Sequence, residues 1–265
     1  MIGASLGLAA RAAGFRVAGW DEWPEHAAVA LETGALDGRA ASLEELLAGC
    51  DWLAIALPLD ATVALLERLA ASPPPARLVI DVASLKVPVR AAASSLPSFV
   101  GTHPIAGSER SGPAAASAGL FVGRVWTYEA GAPEPARSAA IELIAATGAR
   151  PVAVEAGEHD RALALTSHLP QLVSIALAAR LGEAWEGRDA GALCGPGMAS
   201  MTRLAASPWS MWRPILEQNE PAVAQEVRAL ISILSEAAEA LEAGRVESLE
   251  ALFELAAATA SRLPK

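Results

Sequence analysis

WLAIAL at 52–57 and RLVIDV at 77–82 decide the fold of this chain. Each is a short unbroken apolar run, the pattern of a strand buried on both faces of a parallel sheet. Between them, residues 61–71 return to helical spacing. Toward the N-terminus, residues 5–14 have helical composition and stop at a glycine, and residues 16–20 read as a short strand finishing at Asp21. Further helices are predicted around 24–33 and 42–48, and PVAVEA at 151–156 reads as a last strand. This alternation predicts a parallel sheet covered by helices. From Glu158 onward the chain is helix-forming almost throughout, with amphipathic helices at 221–243 and 246–263 joined at Gly244. The boundary is placed near residue 155, giving an α/β domain at 1–155 and an all-α domain at 156–265.

The 265 residues are 53% hydrophobic and 19% charged, ample material for a core. A net charge of −10 with scattered Lys and Arg disfavours a nucleic-acid surface. Every apolar run is interrupted before about 18 residues, so no membrane span is expected. Cys50 and Cys194 stand in no metal-ligand spacing with each other or with His103, His159 and His168. No metal is therefore expected, and free thiols suit a reducing, cytoplasmic compartment. Wide apolar faces in the helical domain predict a homodimer interface.

Asp21, at the end of a strand, occupies the place where a Rossmann-like domain bonds the adenosine ribose hydroxyls. A carboxylate there repels a 2′-phosphate and favours NAD over NADP; a solvated turn residue is the equal alternative. Of the G-x-G-x-x-G fingerprint only the third glycine, Gly3, has a counterpart. The preceding strand and two glycines are expected upstream of Met1.

Three stretches carry candidate chemistry. GTHPIAGSERSG, 101–112, is predicted as a loop just past a strand at Phe99-Val100, with Pro104 steering His103 toward extended backbone. Ligands of open α/β sheets bind in that position, although an incidental surface histidine reads as well. Thr166-Ser167-His168 precedes Pro170, which interrupts a helical run, and a kinked helix with a core histidine is the alternative. MTRLAASPWSMWRPI, 201–215, offers Arg203 and Arg213 as bidentate carboxylate partners, against the commoner fate of solvated arginines.

Taken together, these segments resemble the prephenate dehydrogenase family, which includes arogenate and cyclohexadienyl dehydrogenases. The resemblance rests on Gly3-Ala-Ser-Leu, Asp81-Val-Ala-Ser-Leu-Lys86, His103-Pro-Ile-Ala-Gly-Ser-Glu109 with Ser111-Gly112, Ser167-His-Leu-Pro170, and Thr202-Arg-Leu-Ala with Met211-Trp212. It implies a dinucleotide domain, a helical dimerisation domain, an active site between them, and NAD-dependent oxidative decarboxylation of prephenate to 4-hydroxyphenylpyruvate in tyrosine biosynthesis. It further implies His103 as the base, with Ser84 orienting the same substrate hydroxyl and Arg203 holding the ring carboxylate. His168, Gln171, Ser108 and Glu109 would line the substrate site, and Gly3, Asp21 and Pro58 the cofactor site. Three positions depart from the family pattern. Gln171 replaces the second histidine of SHLPH, Ala83 replaces a common glycine, and Ser200 stands where an acidic residue is usual. Arogenate as substrate and a non-catalytic dimerising remnant are the alternatives. A β-hydroxyacid dehydrogenase is disfavoured because residues 151–264 contain no lysine.

Overall fold

The structure, a computed structural model, describes residues 1–107, 110–185 and 193–263. It divides into two compact units: Met1–Leu163 with Ser207–Asn219, and Ala164–Ala206 with Glu220–Lys265. The first unit is α/β. Its strands β1 (Ala18–Gly19) and β2 (Gly38–Arg39) pair in parallel, and β3 (Trp52–Ile55), β4 (Leu78–Asp81) and β5 (Phe99–Val100) form a second parallel set in that order. Every residue of β4 is buried. Val79 packs with Leu66, Leu69 and Val89 on one side, while Leu78 and Ile80 pack with Phe121, Trp126 and Ile144 on the other. Two covered faces are why this strand reads as continuous apolar sequence rather than an alternating one.

Helices α1 (Ile2–Ala12), α2 (Pro24–Glu32), α3 (Leu43–Gly49), α4 (Leu59–Ala71), α5 (Val87–Ala92), α6 (Ala136–Ala146) and α7 (Ala156–Leu163) alternate with the strands. Ser42 caps α3 by accepting from the Glu45 amide at 3.1 Å, and Glu45 returns the contact by accepting from the Ala41 amide at 2.7 Å. α1 lies so close to the end of β3 that a Cβ on Gly3 would stand 2.8 Å from Ala56 Cβ. That is the packing role of the third fingerprint glycine.

A third strand set corrects the loop expected at 101–112. β6 (Thr102–Pro104) pairs antiparallel with β7 (Val125–Glu129), which pairs parallel with β8 (Arg150–Val154). His103 therefore sits within a strand, opposite Thr127. The Gly101 carbonyl accepts from the Glu129 amide at 2.9 Å and the Ile105 amide donates to Val125 at 2.8 Å, closing the ladder at both ends. The β-branched and aromatic run VWTYE supplies a partner that overrides the weak strand propensity of the histidine stretch.

The second unit is helical. A π-helical turn at Ala164–His168 leads into α8 (Leu169–Ala184), followed by α9 (Pro196–Thr202) and a 3₁₀ turn at Arg203–Ala206. α10 (Trp209–Gln218) belongs to the first unit, where Ile215 and Trp212 join the core beside Leu66. α11 (Glu220–Glu242) and α12 (Glu250–Ala260) complete the second unit. Contrary to the expectation of interrupted apolar runs, Ala156–Ala184 is long and apolar enough to cross a membrane by length and composition. Pro170 lies in the first turn of α8, directly after the π-helical turn that distorts this run.

Candidate active site

In the first unit, His103 is the centre of a buried polar array. Asp81, at the end of β4, is fully buried and accepts from the Thr102 amide at 3.0 Å and the Ala83 amide at 2.9 Å. Lys86 pairs with Asp81 and donates through Nζ to the Thr102 carbonyl at 2.6 Å. Trp126 Nε1 donates to Thr102 Oγ1 at 3.0 Å. The residue just before His103 is thus fixed on its amide, carbonyl and hydroxyl. Burial pushes the Asp81 carboxyl up and the Lys86 ammonium down, and their mutual contact opposes both shifts. Glu129, pushed up by burial, is countered by Arg90 at 2.8 Å. Ser84 lies half-buried on the turn between β4 and α5.

His103 is half-buried and its Nδ1 lies 3.1 Å from His159 Nε2, with the rings edge to face. His159 Nδ1 lies 2.8 Å from Asp160 Oδ1. The Asp160 carboxylate also accepts from the Lys86 and Val87 amides, both at 2.8 Å, and its carbonyl accepts from Asn219 Nδ2 at 2.8 Å. His159 and Asp160 did not emerge as site residues from the sequence. Their only signal is an adjacent His-Asp pair opening a helix just after a strand.

Elsewhere in this unit, Asp21 and Arg39 line a cavity of about 420 Å³ with Trp20, Pro24, Ala27, Ala40 and Ala41. Asp21 Oδ1 accepts from the Trp23 amide at 2.9 Å and lies 3.4 Å from His26 Nδ1. Pro58 is exposed at the N-terminus of α4.

In the second unit, Arg203 is exposed and lines a cavity of about 240 Å³ with Leu169, Pro170, Val173, Ser174, Ser200, Met201 and Leu204. Gln171, expected to face substrate, is buried and its Nε2 donates to the Leu204 carbonyl at 2.8 Å. The amide is therefore tied to the residue that follows Arg203. His168 is buried at the end of the π-helical turn, a distortion often found at functional sites. Arg213, in the first unit, faces Glu217 at 3.8 Å. Ser108 and Glu109 lie outside the described residues.

Comparison with known proteins gives the family of both halves of the chain. Residues 6–153 match the prephenate dehydrogenase nucleotide-binding domain, and residues 155–255 match the prephenate dehydrogenase dimerization domain. "Probable prephenate dehydrogenase NovF" of Streptomyces niveus is 36% identical over 259 residues, covering 91% of this chain and 66% of the relative. The prephenate dehydrogenase of Bacillus subtilis is 34% identical over 235 residues, covering 83% of this chain and 62% of that one. The chain thus spans slightly under two thirds of the length of these curated relatives. The crystal structure of A. aeolicus prephenate dehydrogenase in complex with hydroxyphenyl propionate and NAD+ superposes with a TM-score of 0.88 at 24% identity, covering 98% and 94% of the two chains. With both of its halves matched in order, the chain belongs to the prephenate dehydrogenase family.

Proposed function

We propose that this chain catalyses the NAD-dependent oxidative decarboxylation of prephenate to 4-hydroxyphenylpyruvate, the reaction that leads to tyrosine. The observation that carries the reading is His103, fixed on β6 by the buried Asp81–Lys86 array and backed through Nδ1 by His159. A neutral imidazole so held takes the hydroxyl proton of the substrate, a contribution of about 10²–10⁴-fold. Ser84 orients that hydroxyl. Arg203 holds the ring carboxylate, with Gln171 setting its turn through Leu204 rather than reaching the substrate. His168 and Ser108 complete the substrate site.

The residues present fit a dinucleotide: Gly3 permits close approach of α1, and Asp21 borders a cavity large enough for an adenosine end. Asp21 would accept from the ribose hydroxyls, and Pro58 would border the nicotinamide end. When bound, NAD supplies the acceptor for the hydride that leaves the hydroxyl-bearing ring carbon. His103 then returns its proton to the phenolate oxygen once the bond to the carboxylate has broken and CO2 has gone. We divide the roles near residue 155, with cofactor binding before it and dimerisation after it.

The protein acts as a cytoplasmic homodimer, without membrane or nucleic acid. α12 has no buried residue, and Phe253 and Leu255 on it are 72% and 66% exposed. So much apolar helix surface calls for a second copy. The test is turnover with NAD: NADH, CO2 and 4-hydroxyphenylpyruvate in equal amounts from prephenate are expected. No NADH from prephenate, or a strong preference for arogenate, contradicts the reading.

A further inference from the structure

We infer that His159 and Asp160 are positioning residues that fix which nitrogen of His103 carries its proton, an inference that rests on His103 being the base. Asp160 is 3% exposed and accepts from two backbone amides, Lys86 N on Oδ1 and Val87 N on Oδ2. Both of its oxygens are thus engaged as acceptors, the role of an ionised carboxylate. His159 Nδ1, 2.8 Å from Oδ1, must then be the donor. A neutral imidazole protonated on Nδ1 presents a bare Nε2. That Nε2 lies 3.1 Å from His103 Nδ1 and accepts its proton. His103 is left with its lone pair on Nε2, the tautomer that can take a proton from an alcohol. Reversing the dyad reverses the outcome. With His159 protonated on Nε2, His103 Nδ1 would become the acceptor and its Nε2 would carry hydrogen.

Asp160 has a second task. The amides it accepts from open α5 and follow directly on the turn that carries Ser84. One carboxylate therefore registers the serine turn and, through His159, the histidine. Asn219 holds Asp160 from the far side through its backbone carbonyl. His159 is 2% exposed, so water does not compete for the contact.

The experiment pairs ¹⁵N spectra of the four histidines, told apart by single substitutions, with steady-state kinetics. At about pH 8, where unperturbed imidazoles are neutral, His103 is expected to carry hydrogen on Nδ1 only. His159→Phe keeps a ring and removes the acceptor. It is expected to produce a mixed His103 tautomer and roughly a hundredfold loss of kcat, with KM for prephenate within about twofold. His159→Gln offers a carbonyl oxygen to His103 Nδ1 and is expected to recover most of that loss. A wild-type His103 protonated on Nε2 overturns the inference whether or not the Phe variant folds, and so does an unchanged tautomer in that variant. A tautomer that shifts while kcat stays level upholds the dyad's role and removes His103 from the base role.

Discussion

The two units solve opposite problems. Around His103 the α/β unit buries ionic and polar groups and pairs them: Asp81 with Lys86, Thr102 with Trp126, His159 with Asp160. The helical unit leaves apolar groups in water. Of the 23 residues in α11 only Val223 and Ala240 are buried, and Ile231, Leu234 and Leu241 are each more than half exposed. A polar group buried alone is costly, so the first unit must be complete within one chain. An apolar surface left open can be covered by a second copy, so the second unit need not be. In the proposed function, the proton transfer is assigned to the self-sufficient unit and association to the other.

This contrast breaks most readily at α12. Replacing both Phe253 and Leu255 by Glu removes two large side chains from the proposed interface of each protomer. At about 1.5–3 kcal/mol per side chain, the loss is about 6 kcal/mol or more per dimer. Light scattering should show monomers at concentrations where the wild type is dimeric; a dimer that survives the double change would place the interface elsewhere. Next in size is Lys86→Met, which strands the Asp81 carboxylate in a site with no solvent access. A loss of about 3–5 kcal/mol in urea unfolding is expected, and a variant as stable as wild type would show that the pair adds nothing to this unit.

In the proposed function Arg203 is the helical unit's contribution to chemistry. Arg203→Ala should raise KM for prephenate by about 10–100-fold, the worth of a lost charge-assisted contact, and leave kcat nearly unchanged. A fall in kcat alone would instead place the arginine at the reacting carbon. The smallest effect is expected at Asp37, whose carboxyl is held low by the Val17 amide and by Arg11. A depressed acid stabilises the fold above its ordinary value near 3.8 and loses that contribution as the pH falls through its lower folded value. The melting-temperature gap between wild type and Asp37→Asn should therefore be small at pH 7 and close in acid. A gap that widens in acid would contradict the assigned sign.

Much of this arrangement is legible in the sequence, because local pattern and tertiary role coincide there. β4 is a continuous apolar run because both faces are covered, whereas β3 alternates, with Leu53 and Ile55 buried and Ala54 exposed, and α11 falls at 220–242 against a predicted 221–243. β6 was not legible: glycine and proline around His103 signal a loop, and only the pairing with β7 makes it a strand. The His103–His159 contact spans 56 positions and the Lys86–Asp160 contact 74, distances over which no spacing rule operates. The amide of Gln171 illustrates the remaining gap. Its place in the SHLP segment suggests a substrate contact, yet the fold ties its Nε2 to a backbone carbonyl 33 positions away in the Arg203 segment.

The most direct test is the steady-state kinetics of His103→Ala with prephenate and NAD. A fall in kcat of about 10²–10⁴-fold with KM little changed is predicted, since the imidazole acts on the departing proton and not on binding. A variant that turns over prephenate as fast as the wild type would contradict the assignment of His103 as the base.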